Sequence, residues 1–247
     1  MIRILIYGEG STDCGRMDYG TGKLIDGPVE IYIRHILGKQ WTVEFSLTDL
    51  KSDKTRRPKF QRIGKSLRGH DIKAALLMRM AISDKYHCAA YYSDADRVQG
   101  RDARKEAACR ARYNELKDGI IRGFESARLE NQRIDKIPGL AIIPMKMIES
   151  WLMGDPVAFP RAFSDGKKKY QERQETCPNR PELDWGAHDD PSSNYPKNRL
   201  ARILDIYGKT CNQMTFYEIA KHANVETLRQ TCPISFADFY EQVKRIV

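Results

Sequence analysis

The stretch "HCAAYYSD", residues 87–94, decides how this chain is read. Cys88 to Tyr92 form a short apolar run with no polar alternation, which reads as a central strand buried on both faces. Such strands belong to parallel sheets covered by helices. Working outward, "DIKAALLMRMAI" (71–82) carries Ala, Leu and Met at most positions and reads as a strong helix. On the other side, a long charged amphipathic helix is predicted from Asp102 to about Gln132, followed by the strand "LAIIPM" (140–145) and the helical "KMIESWLMGD" (146–155). Towards the N-terminus lie the strand "RILIYG" (3–8), a helix over 29–38 behind Gly27-Pro28, and the β-branched and aromatic strand "WTVEFSL" (41–47). This alternation predicts an α/β fold with a mostly parallel sheet flanked by helices.

The pattern breaks after Ala162. Residues 165–198 are rich in Lys, Pro, Asp and Asn, and three helical segments follow, beginning near Lys197, Thr215 and Phe236. The expected division is an α/β core over 1–163, then an irregular segment and a helical C-terminal extension over 164–247. No internal repeat or low-complexity segment interrupts it.

The chain has 247 residues, of which 41% are hydrophobic, enough for a sizeable core, and 30% are charged. No apolar run approaches the eighteen or so residues of a membrane helix. The N-terminus reads as a strand and not as a signal peptide, so no membrane partner and a cytoplasmic location are expected. The six cysteines are scattered without a Cys-x-x-Cys pair, and are read as reduced, mostly packed thiols and not as zinc ligands. Lys plus Arg exceed Asp plus Glu by 42 to 33. Between Lys51 and Arg68 eight basic residues face the single Asp53. Arg56, Arg57, Lys59, Arg62, Lys65 and Arg68, with Arg97 further on, are the candidate phosphate-backbone contacts. Such contacts position a nucleic acid without reading its sequence.

Sites in open parallel sheets collect outside the carboxyl ends of the strands. The first strand delivers Glu9 and Asp13, the "CAAYYSDAD" strand delivers Asp94 and Asp96, and Glu149 follows "LAIIPM". Taken singly, an Asp-x-Asp at a strand end is turn or N-cap chemistry, and Glu149 is an acid favoured at a helix start. Repetition at three strand ends carries the joint reading. Two bare carboxylates about 4 Å apart repel by roughly 4 kcal/mol at an effective dielectric of about 20, so convergence requires a proton or a cation. Hard oxygen donors without nearby His or Cys suit Mg²⁺ or Mn²⁺, as one or two ions. The rival reading of Gly8-x-Gly10-x-x-Asp13 as a dinucleotide loop fails, because Glu9 would push a carboxylate towards the pyrophosphate. Trp41 and Trp151 are read as structural residues, Trp151 within the core, and Lys167–Lys169 as an exposed charge run.

Three segments, "IYGEGSTD", "YYSDAD" and "IPMKMIESWLMGD", together resemble the Toprim domain, specifically the branch of OLD-type nucleases and their small stand-alone relatives. The resemblance implies Mg²⁺ binding by Glu9, Asp94 and Asp96. It matches Asp13 to the acid that this branch adds four residues after the first glutamate, and Glu149 to its further glutamate. "DDPSSNYPKNRLARIL" looks like the Asp-Pro…Pro-Lys segment of the small relatives and nominates Lys197 as the downstream lysine; the tail Phe236-Ala-Asp-Phe239 also fits. One departure is the insertion of residues 14–27, with four glycines, which lengthens the first turn. Relatives of this kind are commonly encoded beside an ABC- or AAA-type ATPase in bacterial anti-phage systems, so the resemblance implies an ATPase partner.

The expectation is therefore a metal-dependent hydrolase, a nuclease cleaving phosphodiester bonds of DNA or RNA, with an ATPase as protein partner and a homo-oligomer left open. Glu9, Asp94, Asp96 and Lys197 would be catalytic, Glu9 assisting proton transfer and Lys197 neutralising charge on the phosphate. The alternative is a non-catalytic metal- or nucleic-acid-binding subunit that regulates an ATPase. A nucleotidyl-transfer or primase-like enzyme is a third class.

Overall fold

In the computed structural model, residues 1–8, 12–18, 20–50, 67, 69–95, 105–130, 137–163 and 175–247 are described, Glu130 by its backbone only. Strand β1 (Ile2–Tyr7) leads into a small antiparallel ribbon of β2 (Arg16–Met17) and β3 (Leu24–Ile25). Helix α1 (Pro28–Leu37), β4 (Val43–Leu47), α2 (His70–Ser83), β5 (Cys88–Tyr92), α3 (Glu106–Glu130) and β6 (Gly139–Ile142) follow. The rest is helical: α4 (Ile148–Leu152), α5 (Ala158–Ala162), a 3₁₀ turn at Pro181–Leu183, α6 (Pro196–Ile206), α7 (Gln213–His222), α8 (Val225–Thr231) and α9 (Ser235–Lys244).

The main sheet is parallel throughout, in the order β4-β1-β5-β6. From β1 the chain steps to β4 on one side, then crosses to β5 on the other. A crevice therefore opens between the carboxyl ends of β1 and β5, where the winding reverses. Ile4 lies opposite Cys88 and Tyr7 opposite Tyr91, so these two strands end level with each other.

Strand periodicity splits the core in two. Ile4, Ile6, Ala90, Tyr92, Leu140 and Ile142 face α1 and the C-terminal helices. Leu5, Tyr7, Ala89, Tyr91 and Ala141 face α2 and α3. Strand β5 is buried at every position, as a helix-covered central strand must be. On the first face Trp151 is fully buried, its ring centroid 5.1 Å from both Phe236 and Phe239. Its indole N–H donates to Ser235 Oγ at 2.8 Å. The C-terminal helices thus complete one side of the sheet's own core. Trp41, by contrast, is 40% exposed.

Several elements differ from the sequence expectation. The insertion 14–27 contains the β2–β3 ribbon, whose turn is closed by Asp18, accepting from Gly20 N–H and Thr21 Oγ1. The expected helix over 146–155 is only Ile148–Leu152, since Lys146 sits at φ 74°, left-handed and incompatible with helix. Helices α5 and α8 were not foreseen. Asn224 starts α8, its side chain accepting from Glu226 and Thr227 N–H. The charge run Lys167–Lys169 and the 163/164 division lie outside the described residues or at their border. Among the described residues no helix is long and apolar enough to cross a membrane.

Candidate active site

Two strand ends meet at one phenol. Tyr92, the last residue of β5, is buried, and its Oη donates to Asp94 Oδ1 at 2.6 Å and lies 3.1 Å from Asp13 Oδ2. Tyr92 and Asp94 are two apart, so the pleat carries both to the same side. A phenol has one proton, and burial, then the neighbouring Asp94 and Asp13 carboxylates, hold that proton on Tyr92. With it given to Asp94, the Asp13 contact is satisfied only when Asp13 is itself protonated or when a cation lies between. Burial indeed pushes the Asp13 carboxyl above its ordinary range, against the pull of Thr12, Tyr92 and Lys197. Thr12 Oγ1 donates to Asp13 Oδ1 at 2.9 Å.

Asp13 stays at the end of β1 because the insertion behind it is pinned at both ends. Glu30, fully buried in the first turn of α1, accepts from Gly15 N–H at 2.9 Å and Gly27 N–H at 3.0 Å. The Asp13 carbonyl accepts from Val29 N–H at 3.2 Å. Gly27 leaves no room for a side chain: a Cβ there would lie 2.6 Å from the Cys14 carbonyl carbon and 2.9 Å from the Asp13 oxygen. Burial lifts the Glu30 carboxyl to about 7, with the two amides pulling it back.

Glu149, buried in the first turn of α4, is also lifted to about 7, first by burial and last by the charge of Asp13, while Lys197 draws it down. Lys197 stands in the first turn of α6, where the helix macrodipole disfavours a cation. Glu149, Tyr195, Asp94 and Asp13 offset this, holding its ammonium above its ordinary range despite desolvation. Asp13, Asp94, Glu149 and Lys197 therefore form one electrostatic group at the carboxyl end of the sheet.

Of the expected site residues, these four are brought together. Glu9 and Asp96 lie outside the described residues, as do Arg97 and the whole basic set Arg56, Arg57, Lys59, Arg62, Lys65 and Arg68. Among the described residues no three His, Cys, Asp or Glu side chains converge tightly enough to hold a metal ion. The donors that are described fit a hard divalent cation in kind: Asp13 and Asp94 turn oxygens towards one phenol oxygen, and Asp13 wants a positive charge or a proton there. Sequence reasoning missed Tyr92 and Glu30. The pleat spacing of Tyr92 to Asp94 was a signal for the first; nothing local announces that Glu30 reaches Gly15.

No protein-family model matches the chain, and neither a curated protein nor a solved structure matches it.

Proposed function

We propose that this protein is a Mg²⁺- or Mn²⁺-dependent nuclease of Toprim type, on the OLD-like branch, acting with an ATPase partner in anti-phage defence. The observation that supports it best is the meeting of Asp13 and Asp94 at Tyr92. They come from the ends of two adjacent parallel strands flanking the point where the winding reverses, with Glu149 and Lys197 in electrostatic reach.

In this reading Asp13 and Asp94, with Glu9, Asp96 and Glu149, hold the divalent ion, which when bound offsets negative charge on a phosphodiester and lowers the pKa of water. Tyr92 keeps the first two carboxylates aimed at a common point, and Glu30 keeps the Asp13 turn against α1. Lys197 neutralises charge that builds on the phosphate. Glu9 accepts a proton from the attacking water. Lysines and arginines of 51–68, with Arg97, hold the backbone of DNA or RNA.

The experiment is incubation of the purified protein with plasmid, linear DNA and tRNA under Mg²⁺ and under Mn²⁺. Cleavage is expected with one of them, and Asp94→Asn and Asp13→Asn are each expected to lose it at least 100-fold with the circular dichroism spectrum unchanged. Cleavage unaffected by either substitution removes the proposal. The second reading is a non-catalytic metal- or nucleic-acid-binding subunit that regulates an ATPase. It is supported if binding is retained and no metal yields cleavage.

A further inference from the structure

The segment from Asp184 to Tyr195 has no helix or strand of its own, yet it is tied down throughout. Asn198 Nδ2 lies 2.7 Å from the Asp190 carbonyl and 3.1–3.2 Å from those of His188 and Ala187. Arg202 donates to the carbonyls of Pro191 and Ser193 at 2.6 and 2.7 Å, and pairs with Glu175. Arg199 pairs with Asp184 and donates to the Thr176 carbonyl. Asp190, exposed, accepts from Ser192 N–H and Oγ and closes the turn there. Gly186 packs against the backbone of Asn194 and Tyr195, where a Cβ would approach to 2.6–2.7 Å. Three helix-borne side chains thus hold a surface loop in one shape.

What that loop presents is a set of rings. Trp185 and Tyr195 are half-buried and meet edge to face, with centroids 5.7 Å apart at 81°. His188, its side chain 80% exposed, stands 6.4 Å from Tyr195 at 72°. Lys146 Nζ lies 4.7 Å from the Trp185 ring centroid, a cation–π contact from the turn that follows β6. Tyr195 precedes Lys197 by two residues and its phenol lies close enough to act on the Lys197 charge. Tyr195 therefore adjoins the Asp13–Asp94–Glu149–Lys197 group, and Trp185 and His188 extend from it.

We infer that the loop 184–195 is a base-stacking platform for single-stranded nucleic acid, with His188, Tyr195 and Trp185 taking nucleobases of a strand whose phosphate lies at Lys197. It rests on the reading that this end of the sheet meets nucleic acid, and it names the substrate form. Every base has a π-face, so aromatic platforms hold strands without sequence preference. In a duplex those faces are occupied by neighbouring bases, so the platform selects unpaired strands. Pre-fixing the loop removes the ordering cost of binding.

Binding is measured by anisotropy in EDTA, so that no hydrolysis is involved, with labelled oligo(dT), an abasic strand of equal length and a duplex. The wild-type protein is expected to bind oligo(dT) at least tenfold tighter than the abasic strand, with quenching of tryptophan emission. Trp185→Leu and His188→Ala are each expected to weaken oligo(dT) binding, Trp185→Leu by about tenfold, while leaving abasic-strand and duplex binding unchanged. Equal wild-type affinity for oligo(dT) and the abasic strand overturns the platform, and needs no variant to fold. So does unchanged oligo(dT) binding in both variants. Base-dependent binding by a protein that cleaves nothing sustains the platform and removes the nuclease reading; cleavage with base-independent binding does the reverse.

Discussion

Tyr92 joins two carboxylates with one proton, and that shortage is the chemical signature of the site. Its removal in Tyr92→Phe leaves Asp94 without this donor and is expected to cost about 1–2 kcal/mol in metal-free urea denaturation. If a cation belongs between Asp13 and Asp94, Mg²⁺ or Mn²⁺ raises the wild-type melting temperature, because a ligand that binds only the folded state stabilises it. Asp94→Asn is expected to abolish that rise; a rise of equal size in the variant would exclude Asp94 as a ligand. Glu149 makes the complementary case. Its folded-state pKa of about 7 stands above the ordinary 4.5, so stability is fully present below about pH 4.5 and is lost as pH climbs through 7. Glu149→Gln is therefore expected to be more stable than wild type at pH 8, by up to about 3 kcal/mol, and no more stable at pH 4. Its cleavage activity should fall in the same preparation, the trade of stability for function expected where acids are gathered for a task.

At the scale of elements, the junction of β1, the 14–27 insertion and α1 is where the site is set. Glu30 reaches back across fifteen residues to Gly15 and across three to Gly27. Its carboxyl, lifted to about 7 by burial, follows the sign rule of Glu149: protonation stabilises the fold as pH falls from 7 towards 4.5. Glu30→Gln is expected to flatten that part of the stability–pH curve, measured by urea midpoints between pH 4.5 and 8, and to leave one of the two glycine amides without its acceptor. Gly27→Ala places a Cβ against backbone atoms of Asp13 and Cys14, which have no side-chain freedom with which to give way. It is expected to lower stability by at least about 2 kcal/mol and to lower activity further than that loss explains, since Asp13 must move. A wild-type melting curve for Gly27→Ala would show that the turn has slack.

Over the whole molecule, one sheet is sandwiched between α2–α3 and a second layer made of α1 with the C-terminal helices. Within that second layer Trp151 stacks on Phe239 and meets Phe236 edge to face, and Gln242 of α9 exchanges hydrogen bonds with the Ala141 backbone on the edge strand β6. A chain ending at residue 163 would strip from the Ile4, Ile6, Tyr92 and Ile142 cluster the cover given by Phe216, Phe236, Phe239 and Val243. Truncation there is expected to abolish cooperative unfolding, read by circular dichroism and proteolysis; a 1–163 fragment that melts like the full chain would show that the helices are an accessory. Trp151→Ala should cost about 3–5 kcal/mol, through the cavity and the loss of the donor to Ser235.

The amino-acid sequence alone determined the alternation of strands and helices and the placing of acids at three strand ends. Both rest on short-range patterns: unbroken apolar runs such as Cys88–Tyr92, and acids directly behind them. It also singled out Asp13, Asp94, Glu149 and Lys197, which the fold brings together. Only the tertiary structure decided that β1 and β5 are neighbours at the winding reversal, that Tyr92 serves both acids, that Glu30 clamps the insertion, and that Trp185 meets Tyr195 two residues before Lys197. Those are contacts between residues far apart in the chain or across a turn of irregular backbone. No local periodicity encodes them, because they follow from which strand ends level with which, and from the burial that makes each polar group find a partner.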